Sequence, residues 1–459
     1  MLLIVPKYKL WITLPPLGIL YIASTIRKMG EEVDLIDGVC TDNFYNKIDH
    51  KIKNHNIVGI TANVAQAYSA KQIAEYIRKN YPDKKIIWGG PYSSIEYKKI
   101  LPNLADIVVI GEGENQIKLY LKGEKKENIP GIAFWDKKKN RVVFNPRKEF
   151  ISNLDNLPFP AWDLVQKNRY FSLGHGKSFI VVTERGCPFH CINCTKIIHG
   201  NKFRTRNVEN IIDELDRLVT EFGAKEFQIW DDNFTLIPER AKSICRGIIK
   251  KGINKKARFL LPNGIRADIC DDEMFDLMKE ANFQVLMIAI ESADQDVIDT
   301  LKKGLDLEKV RKTVETAVNK GFRVGLFFMM GLPFDTMQSL KKSAKFAASL
   351  PAHHVFFWRV TPFPGTKLYD IAFAENKNKT FDYMRDFVNY DGATQLKYEH
   401  PKISSFQIAL QIRLAYIRFY ANPLRIYRII KKIIEEKSFL HDMKRLIICG
   451  IRIMLLGHR

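Results

Sequence analysis

Three shortages narrow the class of this chain. Cysteine is sparse and odd in number, seven in 459 residues, which excludes a disulfide-stapled secreted scaffold. No stretch approaches the roughly 18 uninterrupted apolar residues that a spanning helix requires; the closest, Leu446 to Leu456, is short and contains Arg452. The start, Met1-Leu2-Leu3-Ile4-Val5-Pro6, lacks a basic n-region and a small-residue cleavage site and breaks at Lys7, so it reads as a first strand and not as a signal peptide. Acidic residues are also in deficit, 51 against 72 Lys and Arg, for a net charge of +21. Such a surplus fits a polyanionic partner, either nucleic acid or an anionic membrane surface, and fits equally a Lys-rich solvated exterior. A hydrophobic fraction of 46% with 27% charged residues excludes disorder, and the length predicts two to four domains. No repeat at solenoid periods is present.

Short β-branched runs alternate with helical periodicity from residue 1 to about 122. The runs are Leu2 to Val5, Glu32 to Ile36, Ile57 to Thr61, Lys85 to Trp88 and Asp106 to Ile110, separated by amphipathic segments such as Leu17 to Met29 and Ala67 to Asn80. Strand, helix, strand at this spacing predicts a parallel, doubly wound α/β sheet, whose ligands bind beyond the carboxyl ends of the strands. Residues 123–172 turn Lys-, Asn- and Pro-rich, with Lys137-Lys138-Lys139-Asn140 and Pro158-Phe159-Pro160, and read as a linker. The alternation resumes over 173–390, with strands expected at Phe179 to Thr183, Glu226 to Trp230, Ala257 to Leu261, Gln284 to Ile290, Arg323 to Met329 and His354 to Val360. Six such units predict a partial (β/α)6 barrel of the TIM type. Residues 391–459 form a basic helical C-terminal region in which Lys402 to Arg459 hold 12 basic and 3 acidic residues, nearly half of the total surplus.

Three of the seven cysteines, Cys187, Cys191 and Cys194, fall within eight residues in Thr183-Glu184-Arg185-Gly186-Cys187-Pro188-Phe189-His190-Cys191-Ile192-Asn193-Cys194, while Cys40, Cys245, Cys270 and Cys449 stand alone. That clustering points to a metal site in a reducing cytoplasm. Three thiolates on one loop after a strand can hold three irons of a cubane cluster and leave the fourth iron open. A zinc ion would need a further ligand, which His190 or His199 could supply.

In this motif and the barrel pattern that follows it, the chain resembles the radical S-adenosylmethionine (SAM) superfamily. The resemblance implies a [4Fe–4S] cluster on Cys187, Cys191 and Cys194, whose open iron chelates SAM and cleaves it reductively to a 5′-deoxyadenosyl radical. It further implies that Asp231, Asp232 and Asn233, in Trp230-Asp231-Asp232-Asn233-Phe234, receive the SAM amino group; the alternative is a pair of carboxylates capping the next helix. Arg266, in Asn263-Gly264-Ile265-Arg266-Ala267-Asp268, is then expected on the SAM carboxylate or in a surface ion pair. Glu291 and Ser292 are expected on the ribose, and Gly331, in Met330-Gly331-Leu332-Pro333, in a turn near adenine. Thr361-Pro362-Phe363-Pro364-Gly365-Thr366 resembles a closing turn of the same group. Asn193, where an aromatic residue is common, and Ala293, where a glycine is usual, depart from the family pattern.

A doubly wound domain ahead of such a barrel resembles the cobalamin-binding class of the superfamily, which implies a Rossmann-like cobalamin domain over 1–122. With Thr61-Ala62-Asn63 at the family's Ser-x-Leu position, Gly18 takes the place of the signature glycine, while Thr13 and Pro15 stand where Asp and His would be. No imidazole is then available below cobalt. The resemblance assigns the cobalamin tail to Pro15, Gly18, Thr61, Asn63, Gly89 and Gly90, followed by Gly111 and Glu112. The alternative is a flavodoxin-like domain that binds nothing, its glycines only turns.

Basic and aromatic residues interleave in the tail at Ile417-Arg418-Phe419-Tyr420-Ala421-Asn422-Pro423-Leu424-Arg425-Ile426-Tyr427-Arg428, a segment similar to tails in proteins related to the anaerobic magnesium-protoporphyrin IX monomethyl ester cyclase. It suits the interface of an anionic bilayer, or else packs its apolar face on the barrel. The reading that results is a cobalamin-dependent radical SAM enzyme of the cyclase-like and class B methyltransferase group, methylating an unactivated carbon. The alternatives are an oxidative or ring-forming reaction and, in another class, an RNA-modifying protein, although no RNA-binding motif is present and nucleic acid is not the expected partner. Expected partners are a small-molecule or lipid-like substrate and a one-electron reductant, ferredoxin or flavodoxin. The expected location is the cytoplasm, with peripheral contact at the inner face of the membrane.

Overall fold

The computed structural model describes residues 1–7, 15–165, 170, 177–374, 384 and 398–435. Thr13, Cys449 and the run Leu446 to Leu456 lie outside them. The described chain forms two compact units, one built on Met1–Tyr170 with Thr195–Thr205, the other on the stretch that ends at Cys194 and on the described residues from Arg206 onward, Met384 excepted.

The first unit holds a seven-stranded sheet of β1 (Leu2–Val5), β2 (Asp34–Asp37), β3 (Ile57–Thr61), β4 (Lys85–Gly89), β5 (Ile107–Val109), β6 (Ile132–Asp136) and β7 (Arg141–Asn145), in the order β2-β1-β3-β4-β5-β6-β7. β1 to β5 pair in parallel. They are joined by α1 (Leu17–Lys28), α2 (Phe44–Lys51), α3 (Ala67–Asn80) and α4 (Pro91–Ile100), and α5 (Glu114–Leu121) follows β5. Parallel strands are covered on both faces and so read as near-continuous apolar runs. Leu3, Val5, Ile87, Ile107 and Val109 pack with Ile19, Ala23 and Ile26 of α1 in one core cluster. Each of the leucine, isoleucine and valine side chains contributes about 1.5–3 kcal/mol on burial.

The segment 123–172 departs from the expected linker. β6 and β7 are an antiparallel hairpin added to β5, with Ile132 and Phe134 buried in the same core. The Lys- and Asn-rich stretch is the hairpin's turn: the Asp136 carboxylate accepts the Lys138 and Lys139 N–H groups at 3.0 and 3.2 Å, and Asn140 takes φ +47°, a conformation Asn tolerates.

In the second unit, β8 (Ser178–Val181) and the two-residue β9 (Glu184–Arg185) precede the cysteines; β10 (Arg204–Thr205) belongs to the first unit. β11 (Glu226–Ile229), β12 (Arg258–Ile265), β13 (Phe283–Glu291), β14 (Arg323–Met330) and β15 (His354–Arg359) complete a six-stranded, all-parallel sheet in the order β15-β14-β13-β12-β11-β8. Its crossovers are α6 (Val208–Phe222), α7 (Pro238–Lys250), α8 (Asp272–Glu280), α9 (Gln295–Thr300) with α10 (Leu307–Asn319), and α11 (Met337–Ser349). This is the expected six-unit arrangement, with all six strands where the apolar runs put them.

After α12 (Lys367–Phe373) come α13 (Ser405–Tyr420) and α14 (Pro423–Glu435). Ser404 and Gln407 form a capping box at the start of α13, satisfying two otherwise unpaired donors. Ile408, Ala415 and Phe419 face inward, and Tyr416 meets Phe357 of β15 edge to face at 5.2 Å. Arg425 contradicts its expected place on a solvated basic face. It is 1% exposed, and its guanidinium donates to the carbonyls of Ala348, Leu350 and Ala352 at 2.9, 2.6 and 3.1 Å and to that of Phe419. The last carbonyls of a helix have no intrahelical donors, and a five-donor fork is the side chain able to serve several of them at once.

Candidate functional site

The cysteine loop begins where β8 and β9 end. Cys187 and Cys191 are half-buried and Cys194 is exposed. Cys194 N–H donates to the Cys191 carbonyl at 3.2 Å, so the last two cysteines share a tight turn. Ile192 holds the loop to the barrel: its N–H donates to Leu301 O at 3.1 Å, and its carbonyl accepts from Leu368 N–H at 2.9 Å. The Cys191 thiol lies 3.9 Å from the Lys302 carbonyl, and the Asn193 amide nitrogen lies 3.6 Å from the sulfur of Met329 on β14. The fit to a cluster rests on this donor set, three thiols on one pinned loop, and not on a preformed pocket: among the described residues no three His, Cys, Asp or Glu side chains converge on one metal position.

Below the loop, the aspartates after β11 are turned toward its base. Asp231 is buried and accepts from Thr183 N–H at 2.6 Å and from the Thr183 hydroxyl. Asp232 accepts from Gly186 N–H at 2.9 Å. Neither carboxylate caps the next helix, and both are spent on the backbone that leads into Cys187. Asn233 is buried with its side-chain oxygen unpartnered, and its N–H goes to Glu184 at 2.7 Å.

Glu184, to which no role was expected, is the second carboxylate of this nest. One of its oxygens is buried without a partner, and burial, then the nearby Asp231 charge, pushes its carboxyl well above the ordinary range. Burial raises Asp231 as well, against the pull of Arg240 and Thr183. Arg240 donates to the Thr183 carbonyl and hydroxyl at 2.5 and 2.7 Å. The signal available in sequence was only an acidic residue three positions before the first cysteine of the triplet.

Arg266 pairs with Asp268 through two bonds, 3.0 and 2.7 Å. It also donates to the carbonyls of Lys303 and Gly304 at 2.9 and 3.1 Å, and its guanidinium lies 4.0 Å over the ring of Phe189, inside the cysteine loop. Arg266 thus braces the cysteine loop against the turn after α9, with Asp268 as its ion-pair partner. Glu291 sits at φ +70° with one oxygen 3.0 Å from Lys303 Nζ, a strained setting for a non-glycine residue. Ser292 is buried, with its hydroxyl 3.4 Å from that of Ser343 and accepting Asp294 N–H. Gly331 takes φ +90°, with its N–H on Asp335, and an added Cβ would stand 2.9 Å from Ile408.

In the first unit, Pro15, Gly18, Thr61, Asn63, Gly89 and Gly90 gather at the carboxyl edge of the parallel strands, at or beside the point where the strand order reverses. Gly90 at φ +96° lets the ends of β3 and β4 approach: an added Cβ would meet Ala62 O at 2.8 Å. Among the described residues, apart from chain neighbours and the helix's own backbone, no atom lies within 4 Å of where a Cβ on Gly18 or Gly89 would be, an open cradle of the kind a nucleotide tail needs. Asn63 is occupied in a reciprocal cap with Gln66, at 3.0 and 3.1 Å. Gly111 takes φ +78° and donates to Ser94. Glu112 departs from expectation. Its buried carboxylate accepts from Arg204 at 2.9 Å and from Ile151 N–H at 3.1 Å and lies 3.3 Å from His199. A buried carboxylate needs its lone pairs filled; those partners draw Thr195–Thr205, expected within the barrel, into the first unit.

Residues 181–347 match the radical SAM superfamily and residues 12–120 match the B12 binding domain. An uncharacterised methyltransferase of Pyrococcus horikoshii is 31% identical over 436 residues, spanning 93% of this chain and 91% of the relative. The anaerobic magnesium-protoporphyrin IX monomethyl ester cyclase of Cereibacter sphaeroides is 22% identical, over 81% of this chain and 62% of the relative. Among solved structures, the radical SAM methyltransferase TsrM of Kitasatospora setae, with cobalamin and a [4Fe–4S] cluster bound, superposes with a TM-score of 0.69 at 17% identity, covering 82% of this chain and 74% of the other. Kinship over nearly the whole length, joined to a three-thiol loop on a six-unit barrel and an open glycine-lined edge on a doubly wound sheet, means that the chain belongs to the cobalamin-binding radical SAM family, as an enzyme of its methyltransferase-like group whose cofactors are a [4Fe–4S] cluster, SAM and cobalamin.

Proposed function

We propose that the enzyme transfers a methyl group from SAM, by way of cobalamin, to a carbon of a small apolar substrate. The observation that carries this reading is the union in one chain of the three-cysteine barrel loop with a cobalamin-type edge at which Pro15, and no histidine, occupies the lower-ligand position. Bound together, the cofactors supply an electron to cleave SAM and a cobalt able to carry a methyl group. The protein's own part is positional. Cys187, Cys191 and Cys194 would hold three irons, with Arg266 and Phe189 keeping their loop in register. Glu291, anchored on one side by Lys303, has its other oxygen for a ligand hydroxyl. Gly18, Gly89 and Gly90 would admit the cobalamin tail.

Methyl transfer is favoured over ring closure because the relative that is 31% identical over 93% of this chain is named a methyltransferase, whereas the cyclase is 22% identical over 81% of it. Incubation of the anaerobically reconstituted enzyme with methyl-deuterated SAM, a low-potential one-electron reductant and extracts containing candidate substrates is expected to yield a product heavier by one labelled methyl group. Product oxidised or cyclised without label would overturn the reading.

We also propose peripheral contact with an anionic bilayer through α13 and α14. Phe406, Ile417, Leu424, Tyr427 and Ile434 are each more than 60% exposed, beside the exposed Arg418 and Lys431, a pairing of apolar and basic groups suited to a headgroup region.

A further inference from the structure

Alternate residues of a strand point to opposite faces of its sheet. On β15, Val355 and Phe357 are 2% and 3% exposed, whereas Phe356 and Trp358 are 37% and 46% exposed. The buried pair faces the helices, as the contact of Phe357 with Tyr416 of α13 indicates. The exposed pair therefore lies on the opposite, concave side of the barrel sheet. Phe356 and Trp358 are parallel to within 5°, with ring centroids 5.7 Å apart, and Phe327 of β14 adds a third ring 5.5 Å from Phe356.

The surface beside these rings is small, with His354 of β15 at its far edge. Gly325, directly before this stretch of β14, leaves its space to the end of the Met287 side chain, which lies 2.5 Å from where a Cβ would stand; Ala289 on β13 is in register with Phe327. The result is a low floor next to a tall aromatic wall. The wall also starts beside the reacting centre. Trp358 is in register with Met329, adjacent parallel strands being about 4.8 Å apart, and Met329 touches Asn193, the residue before Cys194. A large aromatic surface left open at that place forfeits burial worth about 25 cal/mol per Å² unless something covers it.

We propose that Phe356 and Trp358 form the substrate wall of the barrel and that they take a flat, apolar ring system, stacked on the indole, with the carbon to be methylated held toward the cysteine loop. The assignment rests on the radical SAM reading for its place beside the chemistry, but stacking on the wall does not require the cofactors. The wall and its floor, Ala289, Gly325, Phe327, Met329, Phe356 and Trp358, carry no charge, the ionisable side chains on the same faces, Arg323 and His354, being at the opposite ends of β14 and β15 from Met329 and Trp358, and rings offset-stacked on aromatic side chains gain more than burial alone provides.

The test uses the full-length, anaerobically reconstituted enzyme and 1-pyrenebutyrate as a flat apolar probe, with palmitate as an apolar chain that has no ring. Pyrenebutyrate is expected to bind the wild type by fluorescence titration, Trp358→Ala to weaken it about tenfold, Trp358→Phe to restore most of that loss, and palmitate to compete poorly. Iron content and the visible cluster band are measured on the same samples and are expected to match the wild type in both variants. Equal pyrenebutyrate affinity in Trp358→Ala, or displacement by palmitate at equal concentration, would overturn the stacking site. A wild type that assembles no cluster yet binds pyrenebutyrate in a Trp358-dependent way would refute the enzymatic reading and leave the ring site standing.

Discussion

At Glu184, burial and a neighbouring carboxylate act in the same direction, and both raise its pKa in the folded chain. An unfolded glutamate titrates near ~4.3. Above that pH the folded state keeps a proton that the unfolded state has lost, so stability falls as pH rises from that value through the higher folded one. Glu184→Gln removes the ionisation and keeps an oxygen for Asn233 N–H. The variant is expected to gain melting temperature relative to wild type at pH 8 and to differ little at pH 5; an equal difference at both pH values would refute the assignment. Residue by residue, the cysteine triplet was legible as a candidate site because its spacing is local. Glu184 was not, because what sets its state is Asp231, which approaches it only through the pairing of β8 with β11. Arg266 lies between these cases: Asp268 is two residues away, but the Phe189 ring and the Lys303 carbonyl that define its bracing role come from other loops.

Among the elements, the barrel strands were readable from apolar runs and the hairpin of β6 and β7 was not. The hairpin's strands are short, and only Ile132, Ala133 and Phe134 are buried, so lysines and asparagine dominated the local composition. The C-terminal helices show the same limit. Arg425 counts as one more positive charge in sequence, whereas the fold uses it to close the end of α11 and the carbonyls that follow. Arg425→Ala would leave four carbonyls without that donor, and its unfolding midpoint is expected to fall by the equivalent of about 3 kcal/mol or more. Arg425→Lys should recover only part, because an ammonium has three donors and no planar fork. Denaturant titrations of both variants check this, and a lysine variant as stable as wild type would show that charge alone suffices.

For the molecule as a whole, the surplus of +21 divides into charges that the fold uses and charges that it displays. Arg204, Arg206 and Arg425 are buried and unavailable to any polyanion, while Arg418 and Lys431 remain on the surface beside the exposed apolar residues of α13 and α14. No helix among the described residues is long and apolar enough to cross a membrane, so any bilayer contact would be superficial. Replacing Leu424 and Tyr427, both 65% exposed, with aspartate is expected to reduce cosedimentation with phosphatidylglycerol vesicles and to leave the melting temperature within a degree or two; unchanged sedimentation would remove the membrane proposal.

By itself the sequence determined the two α/β layers, the six-unit barrel and the cysteine triplet as a candidate cluster site, since apolar periodicity and cysteine spacing are local properties that survive any tertiary arrangement. Only the tertiary structure decided that Glu112 closes a buried ion pair with Arg204, that the aspartates after β11 support the cysteine loop, and that Phe356 and Trp358 face the concave side. Those outcomes depend on which groups meet across strands and loops, and burial makes each polar group take whatever partner the fold brings within reach.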